Sequence, residues 1–424
     1  MKAIVLAAGQ GKRLRPFTHT RPKHMIPIAG RPLLEHLLTS LRENEVKEVV
    51  LVVGYLGEQI RNFLGDGSDF GMKIEYATQN SIEGTASAIK ATKEYVSDDK
   101  FLVVNGDLFV SSKAIREVLS QRCSDEMLVS VVPVIFPERY GVVEIKDEVI
   151  KNIIEKPSSE KKVRKLVNAG IYVFGKDVFR WINRISRSNR HEYEITATIQ
   201  SMIDNGFTFK PVVIEPNHWL DIGRPWDLLR ALEKILTKEN LKNNGDVEEG
   251  VVLSGPIGIA KDTRIRSGTY VEGPVYIDSE SDIGPNCYIR PYTSIGSRCR
   301  IGNACEVKNS LLFEDTHIAH LSYIGDSVIG ANCNFGAGTI TANLRLDDAT
   351  VKVRVKNTLE DSGMRKVGAF IGDRVKTAIN VNLMPGVKIG SGAWIGPNTS
   401  IYRDVAPGEF ILGKQDIVSK RVPK

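Results

Sequence analysis

Directly after a short apolar run the chain reads Leu6-Ala7-Ala8-Gly9-Gln10-Gly11-Lys12-Arg13-Leu14-Arg15-Pro16. Two glycines in a turn let backbone N–H groups approach a polyanion, and the cations beside them would neutralise it. The stretch therefore has the chemistry of a polyphosphate cradle with a cationic rim. Taken alone, it also suits a tight structural turn. Its Gly-x-Gly-x-Arg form is neither the dinucleotide fingerprint nor the Walker loop. Thr20-Arg21-Pro22-Lys23 and Pro27-Ile28-Ala29-Gly30-Arg31-Pro32 follow it. A second set of polar residues lies far along the chain: Arg290 and Lys308, 18 residues apart, and His320 in His320-Leu321-Ser322-Tyr323.

The elements that must hold this second set announce themselves by a six-residue beat. Ile259, Ile265, Val271, Ile277, Ile283, Ile289, Ile295, Ile301, Val307 and Phe313 keep one phase, and after a slip Ile371, Leu383, Ile389, Ile395 and Ile401 keep another. That period fits neither a helix nor a simple amphipathic strand. It predicts a solenoid whose coils bury their aliphatics against one another. Through its hexapeptide pattern the segment resembles a left-handed parallel β-helix, in which three hexapeptides form one triangular coil. Residues 18 apart would then stack at the ordinary strand spacing of about 4.8 Å. Arg290 and Lys308 each follow a beat aliphatic, so they should stack as two outward cations. Like charges so placed repel, and an anion bound between subunits would explain them better than stability does. Ile318 and Ile324 take inward slots, which points His320 outward.

The elements that hold the first set differ. Apolar runs at residues 3–6, 49–53, 101–104, 128–132 and 171–174 alternate with helix-like stretches such as 33–42 and 85–95. This predicts a Rossmann-like α/β domain with a mainly parallel sheet, which binds ligands beyond the carboxyl ends of its strands. A helical pattern at 225–241 followed by the polar, Gly/Asn-rich stretch 242–250 sets the boundary near residue 245. Residues 1–245 and 246–424 are thus expected to be separate domains.

At 424 residues, 42% apolar and 25% charged, the chain has a globular composition too long for one ordinary core. A net charge of +6 spread over the whole length suits anionic metabolites and lacks the concentrated basic face that nucleic-acid binding needs. Five cysteines without a Cys-x-x-Cys pair fit neither a disulfide framework nor a zinc site, and point to a reducing cytoplasm. Cys287, Cys299 and Cys305 each precede a beat aliphatic by two residues, an inward slot for a small side chain. The first apolar run reads as a strand rather than a signal peptide, and no apolar window is long enough for a membrane span.

The cradle and its sequel, with Gln79, Gly84-Thr85-Ala86, Asn105-Gly106-Asp107, Tyr140-Gly141, Ile154-Glu155-Lys156-Pro157, Asn168-Ala169-Gly170 and Trp219-Leu220-Asp221-Ile222-Gly223, resemble the sugar-1-phosphate nucleotidylyltransferases over residues 1–230. In that family a sugar-1-phosphate oxygen attacks the α-phosphorus of a nucleoside triphosphate and pyrophosphate leaves. The resemblance implies a nucleotide site of Gly9, Gly11, Arg13, Lys23, Gln79, Gly84 and Thr85. Arg13 would grip the β- and γ-phosphates, and Lys23 would meet the α-phosphate and its developing charge. Asp107 follows an apolar strand, and with Asp221 it can hold Mg²⁺, a hard cation that prefers oxygen. By the same resemblance Gly141, Glu155 and Asn168 face the sugar and Lys156 its phosphate. Glu192 and Glu194 take no assigned role, because Ala197 stands where the family motif usually has Asp. Uracil and thymine share one hydrogen-bonding edge, so UTP and dTTP both fit.

The run Arg290, Lys308, Ala319 to Asp326, Asn334 and Gly336 to Asn343 resembles the acetyltransferase domain of bifunctional enzymes that acetylate glucosamine-1-phosphate and then uridylylate it. Over both halves the chain is similar to archaeal bifunctional sugar-1-phosphate nucleotidylyltransferase/acetyltransferases. This implies a homotrimer with an acetyl-CoA site between subunits. His320 would be the general base toward the sugar amine, a role for which imidazole is the commonest side chain. Arg290 and Lys308 would bind the sugar phosphate, and Tyr323, Asn334 and Asn343 would position the sugar. Leu344 replaces a bacterial Tyr, a charged stretch at 345–366 interrupts the coil, and Lys352 or Lys356 could replace a bacterial lysine. Glucosamine-1-phosphate and galactosamine-1-phosphate are therefore both open as substrates. The basic tail, with Lys414, Lys420 and Arg421, would meet CoA phosphates or be solvated. Two other readings are a nucleotidylyltransferase for glucose-1-phosphate whose β-helix serves only assembly, and a non-enzymatic regulatory subunit. The complete phosphate and metal set speaks against the latter.

Overall fold

The computed structural model describes residues 1–81, 83–121, 126–156, 165–238 and 241–414. Cys123, Pro157, Lys420 and Arg421 lie outside the described residues. The chain forms two compact units. The first comprises Met1–Gly11, Arg21–Ile26 and Arg31–Gly223, and the second Lys12–Thr20, Pro27–Gly30 and the chain from Arg224 onward.

In the first unit the strand Ala3–Ala7 is buried throughout and sits between Glu48–Val53 and Lys100–Asn105, parallel to both. Lys73–Thr78 extends the parallel set beyond Glu48–Val53. Alternation along the strands feeds two cores. Ala3, Val5, Ala7, Val49, Leu51 and Val53 face one side, and Ile4, Leu6, Val50 and Val52 face the other. Helix Leu33–Arg42 covers the first side with Leu34, Leu37, Leu38 and Leu41, a spacing that aligns all four on one face. Each buried leucine contributes about 1.5–3 kcal/mol relative to an exposed one. Helices Thr85–Lys90 and Ile195–Ile203 cover the other side through Ala86, Ile89, Ile195 and Ile199. The predicted α/β domain with a mainly parallel sheet is what forms. The long strand Lys165–Gly175 is its antiparallel addition, pairing Ile171 with Val104 and linking outward to Gly141–Lys146 and Val149–Glu155.

The second unit carries a parallel β-helix. Among the described residues its short strands stack into three parallel ladders of nine, eight and seven strands, one for each side of the coil. Residues 18 apart pair as expected: Ile265 with Ile283, Val271 with Ile289, and Ile277 with Ile295. Their side chains fill one continuous core, and Ile371, Leu383, Ile389, Ile395 and Ile401 rejoin it. Cys287, Cys299 and Cys305 are buried in the expected inward slots, and Cys333 joins them.

One position departs from the beat. Ile295 pairs with Leu312, so Leu312 and not Phe313 enters the coil core. That side of the coil is one residue short, which turns Phe313 out of the inward phase. It is nevertheless fully buried, against the ring of Phe17. The interruption at 345–366 loops out as an antiparallel hairpin of Lys352–Val355 and Thr358–Asp361, and Ile329 then pairs with Ile371. Helix Asp227–Lys238 also belongs to this unit and buries Leu228, Leu229, Leu232, Ile235 and Leu236. Among the described residues no helix is long and apolar enough to cross a membrane.

Candidate active sites

The parallel strands Ala3–Ala7, Lys73–Thr78 and Lys100–Asn105 are followed in the chain by Gly9, Gln79 and Asp107, respectively. Gly9 follows Ala3–Ala7, where a side chain would stand 3.9 Å from Lys23 Cε. Gly11 takes a left-handed conformation at φ 60°. Gly106 follows Lys100–Asn105 and must lack a side chain, because a Cβ there would lie 2.8 Å from the Leu6 carbonyl oxygen. That close approach fixes Asp107, whose carboxylate forms an ion pair with the Lys23 ammonium. Both side chains are mostly buried, which strengthens the attraction.

The short ladder of Leu108–Val110 with Trp219–Asp221 pairs Asp221 with Leu108, and Ile222 N–H donates to the Asp107 carbonyl at 3.1 Å. The backbones at the two predicted metal ligands are thereby brought together, although the residues are 114 apart in the chain. Two carboxylates suit Mg²⁺, which usually takes one or two protein carboxylates and completes its octahedron with phosphate oxygens and water. Among the described residues no group of three or more His, Cys, Asp or Glu side chains could form a closed cage. His24 is fully buried beside Gly106, and burial, aided by the Lys23 charge, pushes its imidazole down to about 3. The ring is therefore neutral at physiological pH.

Gln79, buried, donates Nε2 to the Gly84 carbonyl at 3.2 Å. Gly84 sits at φ 108°, and a Cβ there would lie 2.5 Å from the Tyr193 carbonyl oxygen. Thr85 Oγ1 accepts from Ile195 N–H at 3.0 Å, joining this corner to helix Ile195–Ile203. Arg13 follows in the turn Lys12–Leu14, within the stretch that packs in the second unit.

The predicted sugar residues also converge. A Cβ on Gly141 would lie 3.2 Å from Glu155 Oε2 and 3.6 Å from Asn168 Cβ. Asn168 sits where the register of Lys165–Gly175 shifts, with Oδ1 accepting from Gly170 N–H at 3.0 Å and Nδ2 donating to Tyr172 at 2.7 Å. Lys156 Nζ stands 3.6 Å from Glu155 Oε1. Two residues not singled out in the sequence complete the cluster. Thr196 donates to Glu155 at 3.1 Å, and Arg190 reaches both Glu155, at 3.0 Å, and Glu194. Burial, then the neighbouring Glu155, raises the Glu194 carboxyl. Arg190 carried no sequence signal because Glu155 lies 35 residues away in the chain.

On the β-helix, Arg290 and Lys308 do stack, since Ile289 pairs with Val307. The expectation of an unrelieved like-charge pair is corrected. Arg290 Nη1 donates to Glu306 at 2.7 Å, and Lys308 Nζ to Asp326 at 3.0 Å, so each cation has its own carboxylate. Both line a cavity of about 320 Å³ with Glu233, Glu272, Tyr292 and Asn309. Asn343 Nδ2 donates to the Tyr323 hydroxyl at 3.0 Å and also to Asp326. Burial, followed by the Asp326 charge, raises the Tyr323 phenol. Lys308, Tyr323 and Asn343 thus form one group around Asp326, and Arg290 with its partner Glu306 lies beside it on the same ladder. His320 is exposed while Ile318 and Ile324 are buried, so it points outward as expected. Asn334 is not part of the group. It pairs with His317 and Lys376 in a different ladder, on another side of the coil.

The nucleotidyl transferase family matches residues 2–238, and the GMPPB C-terminal domain matches residues 271–378. The chain is 48% identical over 420 residues to the Bifunctional protein GlmU of Methanococcus maripaludis strain C7, covering 99% of this chain and 98% of that protein. It is 42% identical over 426 residues to the Bifunctional protein GlmU of Methanocaldococcus jannaschii, covering all of both. It is also 42% identical over 422 residues to the Bifunctional sugar-1-phosphate nucleotidylyltransferase/acetyltransferase of Sulfurisphaera tokodaii, covering 97% of this chain and 99% of that one. With matches of this extent across both halves, the chain belongs to the nucleotidyl transferase family and, along its whole length, to the bifunctional sugar-1-phosphate nucleotidylyltransferase/acetyltransferases.

Proposed function

We propose that residues 246–424 acetylate glucosamine-1-phosphate or galactosamine-1-phosphate from acetyl-CoA, and that residues 1–245 transfer a uridylyl or thymidylyl group from UTP or dTTP to the sugar phosphate. Pyrophosphate leaves, and a UDP-N-acetylhexosamine or its thymidine analogue results. The observation that carries the reading is the ladder that brings the backbones at Asp107 and Asp221 together, with Lys23 paired to the Asp107 carboxylate. In nucleotidyl transfer a sugar-phosphate oxygen forms a bond to the α-phosphorus as the bond to pyrophosphate breaks, so positioning and charge neutralisation do most of the work. Lys23 neutralises the α-phosphate, Arg13 the β- and γ-phosphates, and Gly9 and Gly11 bring backbone donors close. Gln79, Gly84 and Thr85 shape the base pocket. Gly141 leaves room for the sugar beside Glu155 and Asn168, and Lys156 meets its phosphate. Mg²⁺, held by Asp107 and Asp221, would supply charge neutralisation between the phosphates.

In acetyl transfer His320 takes a proton from the sugar amine as its nitrogen attacks the thioester carbonyl, and CoA leaves as the thiol. Arg290 and Lys308 bind the phosphate, and Tyr323 and Asn343 orient the ring. Asn334 lies on another side of the coil, so a site using it with the Arg290 group would draw on two subunits. This supports a homotrimer. Four buried cysteines without a disulfide support a reducing, cytoplasmic setting.

The test is CoA release by the full chain from acetyl-CoA and glucosamine-1-phosphate or galactosamine-1-phosphate, without nucleotide, beside His320→Ala. Release by the unsubstituted protein alone is expected. No release with either sugar would leave the β-helix an assembly domain and the protein a nucleotidylyltransferase only.

A further inference from the structure

Lys12–Thr20 and Pro27–Gly30 pack within the unit that contains the β-helix coils. Several contacts hold them there. Phe17, fully buried, rests on Phe313 with ring centroids 5.6 Å apart. Thr20 Oγ1 donates to Asp373 Oδ2 at 2.5 Å, and Asp373 Oδ1 accepts from Ala331 N–H at 2.9 Å, which fixes the carboxylate to the coil backbone. A side chain on Gly30, at φ 76°, would lie 2.5 Å from the Tyr276 ring, so the ring lies directly against the backbone. At Gly372 a Cβ would stand 3.0 Å from Pro16 Cβ, so coil and loop approach closely there too. In the chain, Arg13 is four residues before Phe17, within the same stretch Lys12–Thr20.

We infer that Phe17 and Thr20, with their partners Phe313 and Asp373, are positioning residues for nucleotidyl transfer: the β-helix holds the stretch Lys12–Thr20 that bears Arg13. The inference rests on the phosphate role proposed above for that cation. An unanchored stretch would lose conformational entropy each time it closed on a triphosphate, whereas a fixed one presents its cation already placed. Substitutions at Phe313 or Asp373 would therefore alter nucleotidyl transfer without touching its reacting groups.

The experiment uses the full chain carrying Phe313→Ala or Thr20→Val, with both reactions followed at steady state. The kcat/KM for the triphosphate should fall about 10-fold for Thr20→Val and roughly 10–100-fold for Phe313→Ala, mainly through KM, while acetyl-CoA turnover stays within about twofold. Thr20→Ser, which keeps the hydroxyl, should restore the triphosphate KM. A purely structural role would instead lower both reactions together, and that result overturns the inference. Arg13→Ala is the reference. If it loses nucleotidyl transfer while both anchor variants keep it, the anchoring is wrong. If Arg13→Ala is fully active, the phosphate reading falls and the inference with it. Should Phe313→Ala fail to fold, the near-isosteric Thr20→Val and its Thr20→Ser rescue decide alone.

Discussion

The Asp326 carboxylate, 2% exposed, holds the Lys308 ammonium at 3.0 Å while also accepting from Asn309 at 2.7 Å and from Asn343. Three donors around one buried charge offset much of its desolvation, and the removal of one leaves the charge partly uncompensated. Lys308→Met should therefore destabilise the protein by about 2–3 kcal/mol, and adding Asp326→Asn should recover at least half of that loss. Calorimetry on the two singles and the double measures this. A double variant no more stable than Lys308→Met would show that the pair is not coupled.

The buried thiols make a second prediction. Burial pushes Cys287, Cys299 and Cys333 up to about 12 and raises Cys305 as well. Thiolate is the reactive species, so these four should resist iodoacetamide at pH 8 in the native protein and react in denaturant. Mass spectrometry of labelled peptides would show it, and native-state labelling of any of the four would contradict the packing.

Much of this architecture was legible because local chemistry and global fold agreed. The beat aliphatics fill the coil core, and Ala3–Ala7 needed only its five apolar residues to read as a buried strand. Phe313 was misleading because a one-residue shortening changes no residue type and shows only in the pairing of Ile295 with Leu312. The charges were legible as a column but not as pairs. Glu306 and Asp326 lie 16 and 18 residues from the cations they neutralise, distances that mean contact only once the coil exists. Arg190 was invisible for the same reason. The loop anchors were hidden too, since Thr20 and Asp373 are 353 residues apart.

His24 predicts a pH dependence. Its folded pKa of about 3 lies below the ordinary histidine value, so the unfolded chain binds this proton more readily. The stability it contributes is present above about pH 6.5 and is lost as the pH falls toward 3, by roughly 3–5 kcal/mol in all. His24→Leu removes the proton-binding group and should flatten that part of the stability profile. Denaturant titrations at pH 7, 5.5 and 4.5 would show the smaller slope, and an unchanged slope would place the acid sensitivity elsewhere.

The two chemistries should separate cleanly when the reacting groups themselves are changed. Asp107→Ala removes one of two metal-binding carboxylates and frees Lys23 from its partner. Nucleotidyl transfer should fall roughly 10³-fold, with acetylation retained, because several kcal/mol of transition-state charge stabilisation are lost. His320→Ala should do the reverse. Acetyl transfer should drop about 10²–10⁴-fold, the usual contribution of a positioned general base. Pyrophosphate release and CoA release, measured on the same preparations, report the two halves independently. These variants differ in kind from those at Phe313 and Thr20, which reach the first reaction through the loop. If Asp107→Ala abolished acetylation as well, in a protein whose melting temperature is unchanged, the assignment of one reaction to each half of the chain would be wrong.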